Sequence, residues 1–109
     1  MKSLVYLVLE AGPQALHVLE EIKGDGYNAT IMSTESLRHA LDELDEERHF
    51  FTLRHYENAK NKSSMFCLFV VDNDKLTHLK DVIRKNTNEF NDIKGFMFSR
   101  KIEDYEGSI

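Results

Sequence analysis

The spacing of apolar residues changes several times along the chain, and each change marks an element. Leu4 to Leu9 is continuously apolar and rich in β-formers, the signature of a strand covered on both faces. The turn formers Ala11-Gly12-Pro13 end it. Pro13 suits a first helical turn, where its missing N–H costs nothing, and Ala15, Val18, Leu19 and Ile22 then fall at i, i+3, i+4 and i+7. That amphipathic helix is expected to stop at Gly24-Asp25-Gly26, because glycine accepts the left-handed conformation of a helix end. Tyr27 to Ser33 alternates as a second strand, with Tyr27, Ala29 and Ile31 on one face and Asn28, Thr30 and Met32 on the other.

The stretch from Thr34 to Ser64 interrupts this order. Leu37, Ala40, Leu41 and Leu44 return to helical spacing, with Ser33 or Thr34 as cap and Glu35 near the positive end of the dipole. Phe50 to Tyr56 alternates again, Glu57 to Ser64 is polar, and Met65 to Val71 reads as the second arm of a hairpin. Asp72-Asn73-Asp74 is expected to cap a helix whose stripe is Leu76, Leu79, Val82 and Ile83 and which ends near Asn86. Ile93 to Phe98 predicts the last strand, and Ser99 to Ile109 a charged, irregular tail.

With the 34–64 excursion set aside, the order is strand, helix, strand, strand, helix, strand. This predicts an α+β fold: a single domain over 1–109, a ferredoxin-like βαββαβ sandwich with a long insertion (helix plus hairpin arm) between the second and third core strands. The first and third strands are the apolar ones and belong in the middle of the sheet. Two helices cover one face of such a sheet and leave the other bare. A bare face carrying residues such as Tyr6, Val8, Phe66 or Leu68 exceeds the apolar patch that monomers normally expose. A homo-oligomer that buries the open face is the physical solution.

Composition narrows the classes of function. Over 109 residues, 14 Lys+Arg against 19 Asp+Glu give a formal net charge of −5, so there is no broad cationic field for phosphate backbones or anionic lipid. Nucleic acid and membrane are therefore not expected partners. The aromatic residues Phe66, Phe69, Phe96 and Phe98 are flanked only by Lys94 and Arg100 near the final strand, which reads as packing rather than a base-stacking sheet. Cys67 is the single cysteine and lies inside an apolar strand, which predicts a buried small hydrophobe in a reducing, cytoplasmic setting. The leading apolar run falls short of a signal segment, and no stretch approaches the ~20 apolar residues that span a bilayer.

Candidate chemistry is sparse. His39, Asp42, Glu46 and His49 share one face of a continuous helix and carry the imidazole and carboxylate groups that suit zinc, copper or nickel. A straight helix separates the outer pair by roughly 15 Å at ~1.5 Å per residue, so only a neighbouring pair with an outside group can share one ion. The surrounding run of Asp, Glu and Arg equally describes a solvated helix face. Arg38 opens the insertion and is a candidate partner for an anionic ligand. His17 and His78 fall on the two covering helices as surface groups. His49, His55 and Tyr56, beside Phe50 and Phe51, fit the alternation of a half-buried strand as well as a pocket. No elbow, metalloprotease, phosphate-loop or paired-cysteine motif nominates a nucleophile, so a non-enzymatic role is expected and no cofactor is nominated.

The element order, the long excursion after the second strand, and the phrase Gly26-Tyr27-Asn28-Ala29-Thr30 entering that strand resemble the PII-like superfamily of PII, cyclic-di-AMP receptor and divalent-ion-tolerance CutA proteins. In local pattern the phrase is most similar to the cyclic-di-AMP receptors. After Thr34, however, the chain carries Glu35-Ser36-Leu37-Arg38 in place of their glycine-rich loop, and it lacks the phosphate loop and terminal arginines of PII proteins near Gly95 and Tyr105. The resemblance implies a homotrimer with its sheets facing inward, a regulatory or signal-sensing role, and a small ligand, commonly a nucleotide, in the clefts between subunits. By position it carries Thr30, Asn28 and Ala29 over as cleft residues, with the 34–64 insertion as a surface for a protein partner. Two other readings share the element order: a small-molecule-binding dimer of the ACT type, and a dimeric α+β-barrel enzyme enclosing an organic substrate.

Overall fold

The computed structural model describes residues 1–35 and 63–108. Within them, four strands and two helices alternate as β1 (Lys2–Glu10), α1 (Pro13–Gly24), β2 (Thr30–Glu35), β3 (Ser63–Asp72), a 3₁₀ turn (Asn73–Lys75), α2 (Leu76–Thr87) and β4 (Gly95–Ile102). The strands form one antiparallel sheet in the order β2-β3-β1-β4, so the two most apolar strands are indeed central. This is the α+β ferredoxin-like arrangement that the hydrophobic pattern predicts. The helix and hairpin arm expected between β2 and β3 fall on 36–62, outside the described residues.

Alternation along β1 sorts its side chains without exception, because successive residues of a strand point to opposite faces. Ser3, Val5, Leu7 and Leu9 are buried, and directly paired Cys67, Phe69 and Val71 of β3 share their face. Ala15, Val18 and Ile22 of α1 and Leu79, Val82 and Ile83 of α2 close over them in a single core. Both helices therefore lie on one side. The even-numbered residues Leu4, Tyr6 and Val8 point the other way, beside Phe66, Leu68 and Val70 of β3, Met32 of β2, and Phe96 and Phe98 of β4. No described helix covers them, and Met32, Phe96 and Phe98 remain 50%, 53% and 50% exposed. The continuous apolar run of β1 thus marks a strand with apolar side chains on both faces and a helical cover on one.

Element boundaries depart from the sequence pattern at several places. β2 starts at Thr30 rather than Tyr27, because the Tyr27 ring is buried as an anchor ahead of the ladder. It then runs on through Ser33 and Thr34, which pair with Met65 and Ser64, so neither residue caps a helix and the insertion narrows at both ends. Asp72, Asn73 and Asp74 form no side-chain cap; the Asn73–Lys75 turn leads directly into α2, and the Asn73 side chain accepts a hydrogen bond from buried Ser3. β4 begins two residues late and extends to Ile102, taking in the first four residues of the expected tail. Ile93 is buried ahead of it, and Gly95 lies so close to the Val8 carbonyl that any side chain there would collide with β1.

The α2–β4 connection lacks glycine yet takes three consecutive left-handed residues, Asn88, Glu89 and Phe90. Such residues cost about 1–2 kcal/mol each outside glycine and asparagine. Buried Thr87 offsets part of this: its hydroxyl donates to the Ile83 carbonyl at 2.8 Å and accepts from the Phe90 amide at 3.2 Å. No described helix is long and apolar enough to cross a membrane.

Candidate functional site

Where β1 begins and β3 ends, four stretches of chain meet around an open hollow of about 220 Å³. One wall is Gly26 to Thr30, the approach to β2. The opposite wall is Asp72 and Lys75, and Lys2 and Tyr105 come in from the two ends of the chain. Leu68 and Val70 line it from β3. They and Thr30 lie on the open face of the sheet, since Thr30 pairs directly with Leu68. The hollow is therefore continuous with the uncovered apolar surface.

Gly26 at φ +96° lets the chain leave α1 and turn into the first wall, with its amide bonded to the Lys23 carbonyl at 2.9 Å. Tyr27 then fixes the wall from beneath. Its ring is buried and its hydroxyl meets His78 Nδ1 of α2 at 2.5 Å, tying the two walls together through the helix that follows Lys75. Burial, with help from the Asp25 charge, raises the Tyr27 phenol above its ordinary pKa, so it stays a neutral hydrogen-bonding group. Asn28 and Thr30 are exposed beyond it, and Asn28 Oδ1 accepts the Ala29 amide at 2.9 Å.

The charges of the hollow are arranged in a chain. Lys2 Nζ contacts Asp72 Oδ1 at 2.7 Å and sits 5.5 Å from the centre of the Tyr105 ring. Their hydrogen bond holds the Lys2 ammonium above its ordinary pKa and the Asp72 carboxyl below its own. Antiparallel pairing explains the meeting, because Lys2 is the direct cross-strand partner of Asp72. The opposite charges at the outer ends of the two apolar runs were a usable sequence signal for this pair. Lys75 and Tyr105 had none, as each reaches the hollow from a separate, irregular segment.

Asn28, Ala29 and Thr30, the cleft residues carried over from the resemblance, line this hollow together. Arg38 and the helical stripe His39, Asp42, Glu46 and His49 lie outside the described residues. Cys67 is fully buried, and burial pushes its thiol up to about 11, which keeps it protonated and inert as a nucleophile near neutrality. His17 and His78 are exposed on the two helices, as expected, although His78 is engaged with Tyr27.

No protein-family model matches the sequence, and no curated protein does. Similarity appears at the level of solved structures. A functionally unknown protein from Pediococcus pentosaceus superposes with a TM-score of 0.60 at 10% identity, covering 98% of this chain and 97% of the other. PII from Arabidopsis thaliana, solved bound to citrate, gives 0.58 at 13% identity over 93% and 77%. CPII from Thiomonas intermedia, solved bound to ADP, AMP and acetate, gives 0.56 at 13% identity over 90% and 82%. At such identities the shared property is the fold, and the chain has the fold of PII-like proteins, as the element order and the Gly26–Thr30 phrase imply.

Proposed function

We propose that this protein is a cytoplasmic, non-enzymatic regulatory sensor of the PII-like kind, a homotrimer that binds a small anionic ligand in clefts between subunits. One observation carries the reading: the apolar open face and the polar hollow share Thr30, Leu68 and Val70, so copies that cover the first also wall in the second. Burying Tyr6, Phe66, Phe96 and Phe98 against identical chains supplies the driving force. Within the aromatic cluster, Tyr6 already stacks on Phe98 at 4.5 Å and meets Phe66 edge-on at 5.6 Å, a preformed apolar floor rather than scattered surface groups.

Asn28, Ala29 and Thr30 line the cleft on this reading, and Arg38 adds a guanidinium from the start of the excursion. The citrate on the plant PII and the ADP, AMP and acetate on the Thiomonas protein are all anions, which supports an anionic ligand on the shared fold. The excursion between β2 and β3 reports occupancy to a protein partner by changing its order or position. A ligand shifts that equilibrium only as far as its affinities for the two states differ. The stripe His39, Asp42, Glu46 and His49 is a secondary candidate for a metal ion on the same excursion.

Native mass spectrometry of the freshly purified protein tests the reading. The expected spectrum is a three-chain particle that retains a small anion, one per chain, or takes one up on titration. A one-chain species that takes up no anion contradicts it.

A further inference from the structure

We infer that the hollow takes a compact ligand with a single anionic group, and that the Lys2–Asp72 pair excludes ligands carrying several. The inference rests on the site reading above and deepens it by naming the ligand class. Three charged side chains line the hollow among the described residues: Lys2, Asp72 and Lys75. Lys2 is engaged by Asp72 at 2.7 Å, so Lys75 is the cation among the described lining residues that is left to meet an incoming anion. A second anionic group entering beside the first faces the Asp72 carboxylate, which lies against the same wall. Like charges at close range work against binding. Asp72 in turn accepts hydrogen bonds, so a ligand that places a hydroxyl or ammonium next to its one anion fits the wall better than one that places a phosphate there.

Size points the same way. The share of the cleft that one chain supplies is small, about 220 Å³ against roughly 300–1,000 Å³ for typical small-molecule sites, which favours a compact ligand. The remaining wall offers neutral donors, namely the Asn28 side-chain amide and the Thr30 hydroxyl, the Gly26, Tyr27 and Ala29 amides being already bonded within the wall. These donors orient a ligand without adding charge.

The test is a calorimetric titration of the full-length protein with two series in which charge rises on a constant theme: lactate, malate and citrate, and AMP, ADP and ATP. In the wild type, affinity is expected to fall along each series. Asp72→Asn releases Lys2 and is expected to shift the citrate-to-lactate affinity ratio upward by roughly fivefold, the factor equivalent to ~1 kcal/mol between unit charges a few Å apart in water. Lys75→Gln, on the exposed 3₁₀ turn, is expected to weaken every member of both series and serves as the second variant. Tightest binding of ATP or citrate by the wild type, or an unchanged ratio in Asp72→Asn, overturns the single-anion inference while leaving the ligand site standing. Failure of the wild type to bind any of the six probes removes the site reading and the inference with it.

Discussion

The two faces of the same sheet are built from equally apolar side chains, yet the chain treats them oppositely. On one, Val5, Leu7, Leu9, Cys67 and Phe69 are sealed beneath two helices. On the other, Tyr6, Phe66, Phe96 and Phe98 form a continuous aromatic surface with no described helix above it. The difference between them is cover, since a period-2 strand sends its hydrophobic residues to both sides and only intervening helices decide which side is finished within one chain. The finished face accounts for the fold. On the proposed function the unfinished one is where identical chains meet, and its margin contains the hollow proposed for the ligand.

Substitutions separate the two faces by what they disturb. The largest effect is expected from Phe69→Ala on the covered face, which removes a fully buried ring and is expected to cost about 3–5 kcal/mol of folding stability in chemical denaturation. An equal loss from Phe98→Ala in dissociated single chains would erase the distinction between the faces. Next in size is the double change Phe96→Lys with Phe98→Lys. It is expected to leave far-ultraviolet circular dichroism unchanged while breaking the assembly into single chains on size exclusion, because like charges cannot be packed against their own copies.

Smaller effects come from titration. Cys67 on the covered face is raised to about 11 by burial, above its unfolded value near 9, so its contribution is complete below pH 9 and is lost as pH rises toward 11. Denaturation midpoints are expected to decline over that window in the wild type and less steeply in Cys67→Ala, and a thiol reagent is expected to label the native protein only as it unfolds. The smallest effect belongs to the Lys2–Asp72 pair at the rim of the hollow. The Asp72 carboxyl is lowered by its bond to Lys2, so this stabilisation is present above the ordinary aspartate range near pH 4 and fades as pH falls through the lowered value. Exposure keeps it slight, and Asp72→Asn is expected to flatten the acid limb of the stability profile with little change at pH 7.

How much of this was legible in the sequence follows the range of the interactions. β1, α1 and the stripe of α2 were readable because periodicity over 6 to 12 residues is set by burial on one side. The central place of β1 and β3 followed from their relative hydrophobicity, since central strands of a covered sheet are the most apolar. The start of β2 was not readable: Tyr27 alternates like a strand residue but is buried through its contact with His78, 51 positions away. The end of β4 was hidden for the opposite reason, as Ser99 to Ile102 are polar or charged at most positions and join the sheet only because β1 offers a free edge as far as Lys2. In the hollow, Asn28 to Thr30 were accessible as a contiguous phrase. The charges of Lys2 and Asp72 at the ends of the apolar runs hinted at their pairing, whereas Lys75 and Tyr105 converge there only after folding and no local pattern announces them.

Sedimentation equilibrium of the unmodified protein over a dilution series from micromolar to nanomolar most directly tests the claim that the open face is finished by identical chains. The account predicts a particle of three chains that persists into the dilute range and is lost when Phe96 and Phe98 carry charge. A single chain throughout, with the wild type and the charged variant indistinguishable, would contradict it.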